Sequence, residues 1–130
     1  MVTGKLVALS CSLVLCMSAA PLSVAQSHGD ELRVTMRELG CRKATVSDHT
    51  AVTAVTREGK DLVASVLAVS SCGLHAQSPE ALASGNSVAL SWAWVYPTSG
   101  MLPECECAYD LVFRVSGAPE GNVSVTVATH

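Results

Sequence analysis

The chain has 130 residues, of which 49% are hydrophobic and 15% are charged, and its formal net charge is −3. Its eight lysine and arginine residues are scattered along the chain, whereas binding to nucleic acid requires a concentrated basic face. The composition therefore argues against a nucleic-acid partner. A chain of this length suits one domain with a modest hydrophobic core.

The first segment has the pattern of a secretory signal peptide. Lys5 precedes an apolar run over residues 6–20, and the small residues of Ser23–Ala25 form a cleavage motif. The apolar run is shorter than the roughly 20 residues that a membrane-spanning helix requires. We therefore predict that residues 1–25 are removed on export. The mature chain, residues 26–130, is then secreted or periplasmic and has no membrane span.

Export changes the charge and the cysteine content of the chain. Removal of the signal peptide takes away one lysine and no acidic residue, so the formal charge moves from −3 to −4. It also takes away two of the six cysteines and leaves Cys41, Cys72, Cys105 and Cys107. An extracytoplasmic compartment is oxidising, and disulfides form and persist there.

The first part of the mature chain is predicted to form three strands. Leu32–Leu39 alternates apolar with polar side chains, as strands do, although Leu32, Met36 and Leu39 would also suit a helix, so the type of this segment stays open. Gly40–Cys41 is predicted to end it. Ala51–Thr56 and Leu62–Ser70 are rich in valine and threonine. They are predicted to form a hairpin whose turn is Arg57–Lys60.

The stretch Gly73–Asn86 carries one proline and two glycines and has no clear period. We predict that it is irregular, with one helical turn at Pro79–Ala83. It would connect the hairpin to the next strand.

Ser87–Val115 carries every aromatic side chain of the protein. Val88–Tyr96 and Cys105–Val115 alternate with a period of two and are predicted to be two strands joined in a hairpin. Trp92 and Trp94 project from one face of the first strand. They either pack in the core, as large apolar side chains usually do, or one of them is an exposed ligand platform, and the sequence leaves both interpretations open.

The last strand is predicted over Asn122–Thr129, where valines alternate with small and polar residues, and it is expected to pair with Leu111–Val115. Short alternating segments separated by turn signals are typical of all-β folds. We therefore predict a single antiparallel β-sandwich of immunoglobulin-like architecture over residues 26–130.

The cysteines of the mature chain are predicted to form two disulfides. Cys105 and Cys107 share one face of a strand, with their Cα atoms roughly 6.5–7 Å apart, whereas a disulfide requires about 4.4–6.8 Å and suitable vectors. We therefore expect each of them to pair outside the motif, with Cys41 and Cys72. The alternative is a metal site in which Cys105 and Cys107, with a third ligand, bind zinc or copper.

No catalytic constellation is recognisable in the sequence. Asp48 and His49 have the residue types of an acid–base pair, but neighbours on a strand point to opposite faces. A nucleophile motif of the Gly-x-Ser-x-Gly type is missing as well. We predict that the protein is not an enzyme and has no cofactor.

The sequence CECAYDLVFRVSG, Cys105 to Gly117, resembles the Cys-x-Cys-x-Tyr/Phe-Asp strand near the C-terminus of a group of small exported bacterial proteins. In that group a glycine turn and a final strand follow, and further cysteines lie upstream; here these would be Cys41 and Cys72. The resemblance implies a small β-sandwich and implies no activity.

The sequence thus predicts a secreted or periplasmic, disulfide-stabilised, non-catalytic binding or structural module, whose partner is an unknown protein or small ligand. The alternative function is extracytoplasmic metal binding through Cys105 and Cys107.

Overall fold

The computed structural model describes residues 32–97, 100 and 103–128, so the predicted signal peptide lies outside the described residues. The described part of the chain is all-β, as predicted. Its strands are β1 Arg33–Lys43, β2 Ala51–Glu58, β3 Asp61–Ser71, β4 His75–Ser84, β5 Ser87–Val95, β6 Glu106–Ser116 and β7 Ser124–Val127. Within these same residues, no helix has the length and apolar character needed to cross a membrane.

The strands form two sheets that pack against each other as a sandwich. The larger sheet has the order β1-β6-β3-β2, and all of its pairs are antiparallel. The smaller sheet has the order β4-β5-β7. Its β4–β5 pair is antiparallel, but β5 and β7 are parallel, so the prediction of a purely antiparallel sandwich needs this one correction.

The core lies between the sheets and comes from the alternation that the sequence shows. Strand β3 buries every second side chain, and β6 contributes several large side chains to the core. From the smaller sheet, Val88 and Leu90 of β5 are buried against them. Such burial contributes about 1.5–3 kcal/mol for each large apolar side chain. The largest fully buried side chains are Phe113, Leu62, Leu90, Leu111, Val66, Val88 and Val115.

The predicted hairpin of β5 and β6 is wrong, because these strands lie in different sheets. Each has one apolar face, and the two faces pack against each other across the core: the Trp92 and Phe113 rings are 5.6 Å apart. The predicted pairing of the last strand with Leu111–Val115 is wrong as well. Both edges of β6 are already occupied, by β1 and β3, so β7 pairs with β5 instead.

The stretch predicted to be irregular, Gly73–Asn86, contains β4, and the predicted helical turn at Pro79–Ala83 is part of that strand. Backbone pairing with β5 overrides the weak local preferences. A register shift between Gln77 and Glu80, with Ser78 at a φ of 53°, accommodates the proline within the strand.

The first strand continues past Gly40–Cys41, where it was predicted to end. A β-bulge interrupts the pairing of β1 with β6 between Glu38 and Gly40, and Gly40 has a φ of 140° that a side chain would disfavour. Because the bulge inserts one extra residue, Glu38 and Cys41 both face the core side of the sheet: their partners on β6 are Leu111 and Tyr109.

Candidate functional site: a cluster of four cysteines

The Cys72–Cys105 disulfide joins the end of β3 to the start of β6. The two strands are paired up to Ser71 and Glu106, and the Cys72 N–H donates a hydrogen bond of 2.9 Å to the Cys105 carbonyl. The two cysteines are therefore direct neighbours across the ladder, with Cα atoms 5.4 Å apart, a separation that suits a disulfide. The bond confirms the expectation that Cys105 pairs outside the Cys-x-Cys motif.

Cys107 lies two residues further along β6, on the same face, and is buried. Its thiol donates a hydrogen bond to the Sγ atom of Cys72, and the two sulfur atoms are 3.2 Å apart. A third sulfur atom is thus in contact with the disulfide.

The fourth cysteine, Cys41, lies on β1 and is exposed. The bulge before it places its side chain on the same face of the sheet as that of Cys107. The hydrogen bond to Cys107, burial of the thiol group, and the charges of Cys107 and Glu38 raise the pKa of Cys41 to about 11. The structure therefore brings all four predicted cysteines together; two are bonded, and Cys41 and Cys107 are adjacent free thiols. The second predicted disulfide, Cys41–Cys107, stays a prediction.

Tyr109 supports the cluster from β6. Its hydroxyl donates a hydrogen bond of 2.7 Å to the Ser71 carbonyl and accepts one of 3.2 Å from the buried Leu74 N–H. Burial, followed by the neighbouring charge of Cys107, raises the pKa of Tyr109 to about 12. The alternation of β6 predicted that Tyr109 is buried, but nothing in the sequence predicted its partners, which lie at the end of β3 and in the turn that follows it.

Glu38 and His75 form a pair beside the cluster that the sequence did not reveal. The His75 Nδ1 and Glu38 Oε2 atoms are 3.2 Å apart, and the Glu38 Oε1 atom is buried without a hydrogen-bond partner among the described residues. The pair depends on the bulge in β1 and on the position of β4, neither of which has a local sequence signal.

Asp48 is oriented by Arg42 and not by His49. The Arg42 guanidinium donates two hydrogen bonds, of 2.7 and 2.9 Å, to the two carboxylate oxygens of Asp48. Together with the Thr45 N–H, this cation holds the pKa of Asp48 far below its usual range. His49 instead contacts the Ser47 carbonyl through Nδ1, at 3.2 Å, so the neighbours Asp48 and His49 do not form an acid–base pair.

Trp92 and Trp94 are half-buried and pack against the core. Trp92 lies against Phe113, and the Trp94 ring is 4.8 Å from the Tyr109 ring. The Nε1 atom of Trp92 is buried and has no hydrogen-bond partner within the part of the chain that the structure describes. The core interpretation accounts for these contacts, and a role of either tryptophan as a ligand platform stays a prediction.

The metal alternative requires free thiolates. Cys105 is bonded to Cys72, so a metal site built on Cys105 and Cys107 would first need reduction of this disulfide. Over residues 32–97, 100 and 103–128, no three His, Cys, Asp or Glu side chains are arranged to hold a metal ion.

An apolar groove of about 500 Å³ runs along β4. Its lining includes Leu32, Val34, Pro79, Ala81 and Leu82, and one carboxylate, that of Glu80. Leu82 is 73% exposed. The volume of the groove is in the range of small-molecule sites, roughly 300–1,000 Å³.

Comparison of the chain with protein-family models, with curated proteins and with solved structures found no match.

Proposed function

We propose that the protein is an exported, disulfide-stabilised β-sandwich that binds a small apolar ligand and has no catalytic role. The observation that carries this proposal is the groove along β4, whose lining is apolar except for Glu80 and Ser91. Its volume fits a molecule of about the size of a drug or a short lipid. The single carboxylate favours a ligand that is neutral or cationic and disfavours an anionic one.

Three other polar groups support a non-catalytic role because they are engaged in structural contacts. Asp48 is held by Arg42, and the Tyr109 hydroxyl bonds the β3–β4 turn. Arg114 donates hydrogen bonds to Glu58 and Asp61 across the larger sheet. Each of these groups holds two segments of chain together.

We further propose that the sandwich is immunoglobulin-like in architecture. Constant-type domains have sheets of four and three strands, and the described residues of this protein form sheets of the same two sizes. In those domains the first, second, fourth and fifth strands form the larger sheet, whereas here β1, β2, β3 and β6 form it. The proposed likeness concerns the layers and not the order of the strands.

The test uses N-phenyl-1-naphthylamine, a neutral apolar probe with one N–H group that becomes fluorescent in apolar sites. We expect saturable binding that Leu82→Asp weakens at least tenfold, since the aspartate puts a second charge into the groove. Leu39→Asp is the matched control, because Leu39 is also an exposed leucine on an edge strand, 57% exposed, and does not line the groove. An undiminished affinity of Leu82→Asp, or no saturable binding by the unaltered protein, would disprove the proposal.

A further inference from the structure

The cysteine cluster contains a disulfide and a free thiol in direct contact. The Sγ atom of Cys107 is 3.2 Å from that of Cys72, which is bonded to Cys105. Thiol–disulfide exchange begins when a thiolate attacks one sulfur atom of a disulfide. The structure thus holds an attacking group next to one sulfur atom of the bond.

We propose that Cys107 competes with Cys105 for Cys72, so that the protein exchanges between two disulfide isomers and presents a reactive Cys105 thiol at its surface in the second isomer. The exchange does not involve the groove along β4. It therefore stands or falls independently of the proposed ligand.

The exchange needs no external oxidant or reductant. The Cys107 thiol releases its proton to solvent, and the thiolate attacks the Sγ atom of Cys72. A Cys107–Cys72 bond forms, the Cys72–Cys105 bond breaks, and the electron pair leaves on Cys105, which takes up a proton. One disulfide and one thiol are present before and after the step.

The two isomers differ in which thiol can react with the surroundings. In the first isomer Cys105 is bonded and Cys107 carries the free thiol. Cys107 is only 5% exposed and is therefore inert toward bulky reagents. In the second isomer it is on Cys105, which lies in the exposed chain before β6. Exchange thus moves a thiol from the core to the surface, where an external disulfide can react with it.

Cys41 controls how long Cys107 stays available. The two thiols lie on the same face of neighbouring strands, and an external disulfide compound or a disulfide oxidoreductase can oxidise them to a Cys41–Cys107 bond while it is itself reduced to thiols. That bond uses up the Cys107 thiol and stops the exchange. The variant Cys41→Ser removes this competing reaction and leaves Cys107 as the free thiol in the cluster.

The test labels Cys41→Ser under native conditions with a polyethylene glycol maleimide, which is too large to reach a buried thiol. Peptide mapping then identifies the labelled cysteine. We expect the label to accumulate on Cys105, because exchange exposes that thiol. The matched control, Cys41→Ser/Cys107→Ser, keeps Cys72–Cys105 and is expected to take up no label.

Label on Cys107, or no native labelling followed by label on Cys107 alone after denaturation, would overturn the proposal. Should Cys41→Ser fail to fold, Cys105→Ser gives a second measurement that needs no change at Cys41. In that variant we expect mapping to find a Cys72–Cys107 bond. A free Cys72 together with a free Cys107, or a Cys41–Cys72 bond, would equally overturn the proposal.

Discussion

The Tyr109 hydroxyl lies 2.7 Å from the carbonyl oxygen of Ser71 and donates a hydrogen bond to it. Ser71 is the last residue of β3, and Cys72 follows it. Because the same hydroxyl accepts the Leu74 N–H, one side chain of β6 fixes the turn on both sides of Cys72. The geometry of the cysteine cluster therefore depends on a tyrosine as well as on the disulfide.

Replacement of Tyr109 by phenylalanine tests this role. The change leaves the ring in place but deprives the buried Leu74 N–H of its partner, so we expect the free energy of unfolding to fall by about 1–3 kcal/mol. Urea denaturation at pH 7 measures it. Tyr96→Phe is the control, because Tyr96 is 66% exposed and its hydroxyl is expected to contribute less than about 0.5 kcal/mol. Equal effects of the two variants would contradict the assigned role.

The Cys72–Cys105 bond is expected to contribute a large part of the stability. It spans 33 residues, and on the chain-entropy model a loop of that length corresponds to roughly 4 kcal/mol. Domains of this size have about 5–15 kcal/mol in total. We therefore expect Cys72→Ala/Cys105→Ala to unfold at much lower urea concentration than Cys41→Ala, which keeps the bond. Similar midpoints for the two variants would show that the bond does not stabilise the fold.

The alternation of side chains predicted the buried face of β6 correctly. Cys107–Val115 buries the residues that alternation placed on one face, and the short Cys-x-Cys spacing correctly favoured a bond from Cys105 to a cysteine outside the motif. The bulge in β1 could not be predicted in this way. A strand without the extra residue would have placed Glu38 and Cys41 on opposite faces, and the contact of Cys41 with Cys107 would not exist.

Strand partners were the other point at which the sequence was insufficient. The pattern of Asn122–Thr129 indicates a strand but does not say which neighbour has a free edge. That depends on β1 and β3 having occupied both sides of β6. For the same reason β4 has no strong local signal, since its conformation is imposed by its pairing with β5.

Stability should decrease in alkaline solution in two steps. The pKa of Cys41 is raised from 9.0 to about 11, first by its hydrogen bond to Cys107, and the pKa of Tyr109 is raised from 10.0 to about 12 by burial. Both groups hold their proton more tightly in the folded state. As the pH rises above the unfolded values, the unfolded chain loses protons first and the free energy of unfolding falls.

The variant Cys41→Ser separates the two steps. We measure the free energy of unfolding with urea at several pH values and expect it to decline from pH 9 in the protein with free thiols. In Cys41→Ser the decline is expected to start near pH 10, where only Tyr109 contributes. A Cys41–Cys107 disulfide should have the same effect as the serine, so thiols are counted before each measurement. Identical curves for the free-thiol protein and the variant would contradict the raised pKa of Cys41.

The ion pair of Asp48 and Arg42 should make the protein sensitive to acid. Arg42 and the Thr45 N–H stabilise the ionised carboxylate in the folded state and lower its pKa; Asp61 is affected in the same direction by Arg114. A group of this kind stabilises the fold above its unfolded pKa, about 3.9 for aspartate, and the stabilisation is lost as the pH falls below that value.

Replacement of Asp48 by asparagine tests this pH dependence. It also tests whether the ion pair stabilises the end of β1, where Arg42 lies next to Cys41. We expect Asp48→Asn to be less stable than the unaltered protein at pH 7 and to lose less stability between pH 5 and 2, measured by thermal unfolding in low salt. Glu120→Gln is the control, since Glu120 is an exposed carboxylate in the loop between β6 and β7, and its acid slope should match that of the unaltered protein. If Asp48→Asn kept the full acid slope, the loss of stability in acid would have to come from other carboxylates, and the Arg42 pair would be a surface contact without consequence for folding.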